Sequence, residues 1–198
     1  YRNNLLTYAG EKDEEDNAYY TFTATGADPF VSMDTPVYSV DSIQWMKVRA
    51  RNLSGSKVME LYACKGTNTN VNGNTCTQIS LEQDTEWHEY VIHIPTANVE
   101  TANAFKGANL SSTSWTGNIN WIRLDPMANV LTSGGGVTAG SQIQIDYIAF
   151  FPTEEEARSF AISANSASFN GGVIDISTNF PDGVSPVTSD IFKDITIT

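Results

Sequence analysis

Apolar and polar residues alternate with a period of two along most of this chain, most clearly between residues 115 and 151. There Ile119, Trp121, Arg123 and Asp125 alternate with Asn120, Ile122 and Leu124. After a glycine-rich connection, Gln142, Gln144 and Asp146 alternate with Ile143, Ile145 and Tyr147. Successive side chains of an extended chain point to opposite faces, so the pattern predicts strands. Between residues 147 and 151 the apolar residues fill both phases, as in a strand covered on both sides. Three earlier stretches repeat the alternation. Met46, Val48 and Ala50 oppose Trp45, Lys47 and Arg49; Met59, Leu61 and Ala63 oppose Glu60 and Tyr62; Tyr90, Ile92 and Ile94 oppose Glu89, Val91 and His93. Each has one apolar and one mixed phase, and apolar phases that face each other make a two-sheet sandwich. A single helix is predicted over residues 153–160, with Thr153 as N-cap, Glu156 completing a capping box and acidic residues in the first turn.

The strands also carry a family resemblance. W-x-G-x-I-x-x-I-R-L-D-P from Trp115, I-D-Y-I-A-F-F from Ile145 and the acidic T-E-E-E-A from Thr153 resemble the closing strands of a galactose-binding-like jelly roll. A-D-P-F at Ala27, I-Q-W-M-K-V-R-A-R-N at Ile43 and E-W-H-E-Y-V-I-H-I at Glu86 match in the same order. The resemblance implies an all-β, jelly-roll-like antiparallel sandwich over residues 17–160. An acidic segment, 1–16, would precede it, and a strand-forming extension, 161–198, would follow. It also implies the setting of bacterial surface and carbohydrate-active proteins, in which such domains are often carbohydrate-binding modules. In that family calcium commonly sits where the first residues meet an Asp of the last strand, which by position is Asp146, with Glu11 and Asp13 the candidate partners. From the residues alone, the run E-K-D-E-E-D at 11–16 is either a solvated loop or a source of calcium ligands. Asp146, set between Ile145 and Tyr147, needs a partner if buried, whether a cation, a salt bridge or backbone hydrogen bonds.

Charge and composition narrow the partners. The 198 residues allow one domain with a proper core plus extra material. With 23 Asp and Glu against 11 Lys and Arg, the formal net charge is -12, which repels phosphate backbones and excludes nucleic acid. No run of about 18 apolar residues is present to span a membrane. No signal peptide is visible and Tyr1 is not an initiator, as expected of a mature product or an excised region of a secreted or surface-attached protein. Cys64 and Cys76 flank an eleven-residue polar loop, and a disulfide pinning its base would contribute about 2 to 3 kcal/mol. Two lone cysteines make no zinc site unaided.

The mixed phases supply the candidate ligand residues. Trp45, Arg49, Tyr62, Trp121 and Arg123 are the types that stack on a pyranose and hydrogen-bond its hydroxyls, and strands adjacent in one sheet would line them along a groove for a polysaccharide or glycan. Against this, Arg49 and Glu60 can form a cross-strand ion pair and the tryptophans can be covered. Trp87 and Trp115, at strand starts, read as packing residues. Catalysis has few candidates. His88 and His93 lie on opposite faces of one strand, and neither a nucleophile elbow nor a zinc-protease motif occurs. The extension, with Ile191, Ile195 and Ile197 in one phase, can pair at home, begin another domain or complete a neighbour's sheet. The last option makes the chain a structural subunit of a filament or surface layer, built by donor-strand exchange.

Overall fold

The computed structural model describes residues 2–14, 18–64, 76–95, 115–128, 136–161 and 173–174, with residues 2, 3, 33–38, 64, 173 and 174 described by backbone only. Eleven strands and one short helix appear among them: β1 (Arg2–Asn4), β2 (Leu6–Lys12), β3 (Ala18–Ala24), β4 (Phe30–Ser39), β5 (Trp45–Asn52), β6 (Val58–Cys64), β7 (Cys76–Ser80), β8 (Trp87–His93), β9 (Asn118–Asp125), β10 (Gln142–Phe151), α1 (Glu154–Ser159) and β11 (Val173–Ile174). They form two antiparallel sheets, β1-β4-β9-β6-β7 and β2-β3-β10-β5-β8, with β11 pairing β10. The protein is an all-β sandwich.

The phases read from the sequence decide what fills it. Met46, Val48 and Ala50 of β5, Met59, Leu61 and Ala63 of β6, and Ile122 of β9 meet in one core with Tyr20 and Phe22 of β3. Trp115 closes one end, stacked on Phe150 at 6.2 Å between ring centroids and donating its indole N–H to the Ile43 carbonyl.

β10 is the central strand of its sheet and is buried almost throughout. Its register with β5 shifts between Ile145 and Tyr147, so Asp146 is the extra residue of a β-bulge. The bulge changes which residues face inward. Ile143 and Ile145 enter the core before it, Ile148 and Phe150 after it. On the outer face Gln142 and Gln144 therefore give way to Tyr147, Ala149 and Phe151, which form a second apolar cluster with Ala157 of α1, Trp45, Val91 and Phe160. This is why apolar residues fill both phases at the end of the strand.

Helix α1 covers that second cluster. Thr153 accepts from the Glu156 amide at 3.2 Å while the Glu156 carboxylate accepts from the Thr153 amide, completing the predicted capping box. Lys47 holds the far end. Its side chain is 3% exposed, and its ammonium donates to the Phe160 carbonyl at 2.6 Å and pairs with Glu89 at 3.0 Å.

Several expectations are corrected or bounded. Residues 2–12 are not an acidic segment outside the sandwich, because β1 pairs β4 at an edge of one sheet and β2 pairs β3 at an edge of the other. Cys76 is a free, buried thiol, so the Cys64–Cys76 disulfide is not formed. The register explains this. Cys76 lies opposite Tyr62, leaving Cys64 a diagonal neighbour, and Cα atoms so placed are about 7–8 Å apart, beyond ordinary disulfide reach. Two residues of the extension are described, and Val173–Ile174 pair with Ala149 and Ile148 of their own chain. Ile191, Ile195 and Ile197, with Glu15 and Asp16, lie outside the described residues. No helix among the described residues is long and apolar enough to cross a membrane.

Replacing Lys47 by Met removes the donor to Phe160 and frees the end of α1. The expected loss is about 1 to 3 kcal/mol in urea denaturation, and an unchanged midpoint would contradict the anchoring role. Thr153→Ala, which deletes the cap, is expected to cost about 1 kcal/mol in the same assay.

Candidate functional site

The predicted ligand residues do not share a surface. Tyr62, Trp121 and Arg123 lie on β6 and β9 of the five-stranded sheet, whereas Trp45 and Arg49 lie on β5 of the other. Their phases put the two groups on opposite outer faces of the sandwich. The Arg49–Glu60 pair is excluded for the same reason.

The outer face of the five-stranded sheet is a closed polar network. Arg123 donates from Nε and a terminal nitrogen to the two oxygens of Asp125, both at 2.5 Å, and reaches Asp28 at 3.1 Å. Its guanidinium also lies 3.7 Å from the Phe30 ring centroid and 5.4 Å from that of Tyr62. Glu60 accepts from the Tyr62 hydroxyl at 2.8 Å and from the Gln78 amide at 2.7 Å. Trp121 packs with Tyr62 and Cys76. Glu60 and Asp125 are direct neighbours across β6 and β9, both buried. Burial first, then the facing Glu60, pushes Asp125 up to about 7 against the pull of Arg123, and burial likewise raises Glu60. Burial also raises the Cys76 thiol, which leaves it little thiolate character. Bidentate and stacked at once, Arg123 serves the sheet itself.

On the other sheet α1 covers the half carrying Trp45, whose ring packs on His93 at 4.8 Å and against the apolar cluster. Among the described residues no helix lies over the other half. Pairing sets its side chains in two rows. Ala9, Thr21, Gln144, Arg51 and Trp87 follow one another across β2, β3, β10, β5 and β8. In the next row are Glu11, Tyr19, Tyr147, Arg49 and Glu89, with Asp146 at the bulge.

Arg49 pairs with Asp146, and its guanidinium lies 4.6 Å from the centroid of the Trp87 ring. Tyr19 meets Trp87 edge-on at 5.5 Å. Strands β3 and β8 are three spacings apart, about 14 Å, so the two rings arch over β10 and β5 between them. Partial burial and a hydrogen bond to Glu11 raise the Tyr19 hydroxyl, keeping it a neutral donor. Glu89 is pushed up by partial burial, but hydrogen bonds from Tyr147 and Lys47 outweigh this and hold it below the usual carboxylate range. At the rim, Arg51 donates to the Thr85 carbonyl at 2.6 Å. Thr85 has φ of 64°, which costs a β-branched residue about 1–3 kcal/mol, and the neighbouring Asp84 pairs with His88 at 2.8 Å. Under the arch Gln144 donates to Thr21 at 3.3 Å, while its own carbonyl oxygen is buried without a partner among the described residues.

Two of these residues escaped the sequence reading. Trp87 read as packing, although extending the phase of Glu89, Val91 and His93 back by two places it on the mixed face. Tyr19 stood in an alternating stretch whose faces were not assigned. Trp115, in contrast, is the buried packing residue expected.

Among the described residues no group of three or more His, Cys, Asp or Glu is gathered to hold a metal ion. The Asp146 carboxylate is taken by Arg49, which realises the salt-bridge alternative. Glu11 stands on β2, two strands from Asp146 of β10, with Tyr19 of β3 between them.

No family model and no curated protein matches the chain. Among solved structures it is similar to the glycoside hydrolase domain of Endo-D from Streptococcus pneumoniae R6, at 14% identity and TM-score 0.44, over 75% of this chain and 21% of that one. It is also similar to a carbohydrate binding module of Cellvibrio mixtus lichenase 5A in complex with cellotriose, at 11% identity and TM-score 0.41, over 77% and 90%. A third likeness is to the C-terminal module of a laminarinase from Zobellia galactanivorans, at 10% identity and TM-score 0.36, over 73% and 90%. The chain thus spans about a fifth of the Endo-D structure. Likenesses this distant say nothing of what this chain binds.

The buried carboxylates give the protein a definite pH response. A carboxyl raised in the folded state holds its proton where the unfolded chain has lost it, so stability falls as pH rises from about 4 through about 7. Thermal midpoints are expected to be higher near pH 5 than near pH 8, with a shallower slope in Glu60→Gln. A midpoint that rises over this range would contradict the assignment.

Proposed function

We propose that this chain is a non-catalytic carbohydrate-binding domain of a secreted or cell-surface protein, and that it binds through the helix-free half of the outer face of the six-stranded sheet. The observation that carries this reading is the half-buried Trp87 ring with the Arg49 guanidinium 4.6 Å from its centroid and Tyr19 at its edge. Sugars bind by stacking an apolar ring face on an aromatic side chain while fixed polar groups meet their hydroxyls. Arg49, Asp146 and the Tyr19 hydroxyl supply donors and an acceptor beside that ring. Of the sequence candidates, Arg49 keeps its role, and Trp87 takes the platform role first given to Trp45 and Trp121.

The non-catalytic part of the reading rests on the carboxylates. Glycoside hydrolysis needs two flanking an accessible bond at about 5 to 9.5 Å. Glu60 and Asp125 are close but buried and engaged by Tyr62, Gln78 and Arg123. The filament reading has no observation in its favour, since the two described residues of the extension pair at home.

Trp87→Ala and Arg49→Ala are each expected to weaken glycan binding by about tenfold or more, as hot-spot losses do, when full-length protein is screened against immobilised polysaccharides. Trp121→Ala, on the opposite face, is expected to lower the melting temperature and leave retention unchanged. Retention that follows Trp121 instead of Trp87 would move the site to the other sheet.

A further inference from the structure

The reading of this face as a sugar site can be taken to the chemical class of the sugar. Arg49 is balanced by Asp146, and Lys47 by Glu89. Arg51, at the rim, donates to the Thr85 carbonyl at 2.6 Å. Arg49 and Lys47 are therefore already neutralised and are not spare cations for a carboxylated or sulfated ligand. The formal net charge of -12 adds long-range repulsion to the same effect.

What Gln144 lacks is a donor to its side-chain oxygen. The side-chain carbonyl of Gln144 lies in the row between Thr21 and Arg51, in a residue 8% exposed, and has no hydrogen-bond partner among the described residues. Its amide nitrogen is turned to Thr21, so the oxygen is left on the side of the sheet over which Tyr19 and Trp87 arch. A buried acceptor left unpaired destabilises the free protein, and a ligand that supplies the missing donor recovers that energy on binding. A sugar hydroxyl is such a donor and carries no charge.

We propose that this face selects a neutral glycan, and that one of its hydroxyls donates to Gln144 Oε1 when Tyr19 and Trp87 part to admit it. Two signatures follow. Binding is insensitive to ionic strength, because no net charge is neutralised. Removing the Gln144 acceptor trades affinity for stability, whereas an ordinary structural glutamine loses stability when replaced.

The test is titration calorimetry of the full chain with cellohexaose, xylohexaose and mannohexaose as neutral probes, hexagalacturonate and a heparin hexasaccharide as acidic ones, and chitosan hexamer as a basic one. At least one neutral probe is expected to bind, with affinity constant within about twofold between about 50 and about 500 mM NaCl. Gln144→Leu is expected to weaken it about tenfold while the melting temperature holds or rises. Gln144→Met, closer in shape, repeats the measurement if the leucine variant does not fold. Preference for an acidic or basic probe, with affinity falling steeply in salt, overturns the neutral class and leaves the sugar site standing. A Gln144 variant that is less stable and binds as the parent does overturns the role of that oxygen. Silence across all six probes removes the sugar reading and this inference with it.

Discussion

One extra residue in β10 decides the layout of this protein. β10 is the strand both flanks of its sheet depend on, and the bulge at Asp146 exchanges its inward and outward sides halfway along. Before the bulge the outward side is amide and carboxylate; after it, tyrosine, alanine and phenylalanine. The apolar half must be covered, and α1 covers it, held by its capping box and by Lys47. Left without the helix, the polar half presents Gln144, Asp146 and the residues of β3, β5 and β8 that lean over them. An unbulged β10 would bring the isoleucine and phenylalanine side chains to the wrong face beyond residue 145, and neither the helix nor the polar rows would have a place.

The same carboxylate that makes the bulge also orients the site. Asp146 fixes the Arg49 guanidinium, which lies against Trp87, which in turn meets Tyr19. Residues from four strands are thereby tied into one unit across a curved sheet. The opposite face uses similar chemistry to another end. Arg123, its guanidinium near the rings of Phe30 and Tyr62, clamps Asp125 and Asp28 and so ties the sheet to itself.

How much of this the sequence disclosed depends on the range of the interaction. Inward and outward phases of β5, β6, β8 and β9 were legible because they are local, a matter of period two within one strand. So was the capping box, which is closed between residues three apart. Which strands share a sheet was not legible, and grouping Trp45 and Arg49 with Trp121 and Arg123 failed on that point alone, since periodicity carries no label for the partner strand. The Cys64–Cys76 bridge failed similarly. Nearness along the loop suggested it, and the register of β6 on β7 put the two Cα positions on a diagonal. Asp146 was legible as a buried carboxylate in need of a partner, but its partner is 97 residues away. Trp87 was within reach of the phase argument and was set aside because it begins a strand.

The order of the strands has a kinetic meaning as well. Among the described strands β2 with β3, β6 with β7 and β10 with β11 are the sequence neighbours that pair; every other connection between β1 and β10 carries the chain across to the opposite sheet. Neither sheet can therefore grow by adding hairpins one after another. Each contact that matters must close a long loop before it is rewarded, the regime in which all-β domains fold in milliseconds to seconds rather than microseconds. Of the five strands β2, β3, β10, β5 and β8, β10 leaves the ribosome last and fills the gap between β3 and β5, so the sheet stays in two halves until β10 has been made.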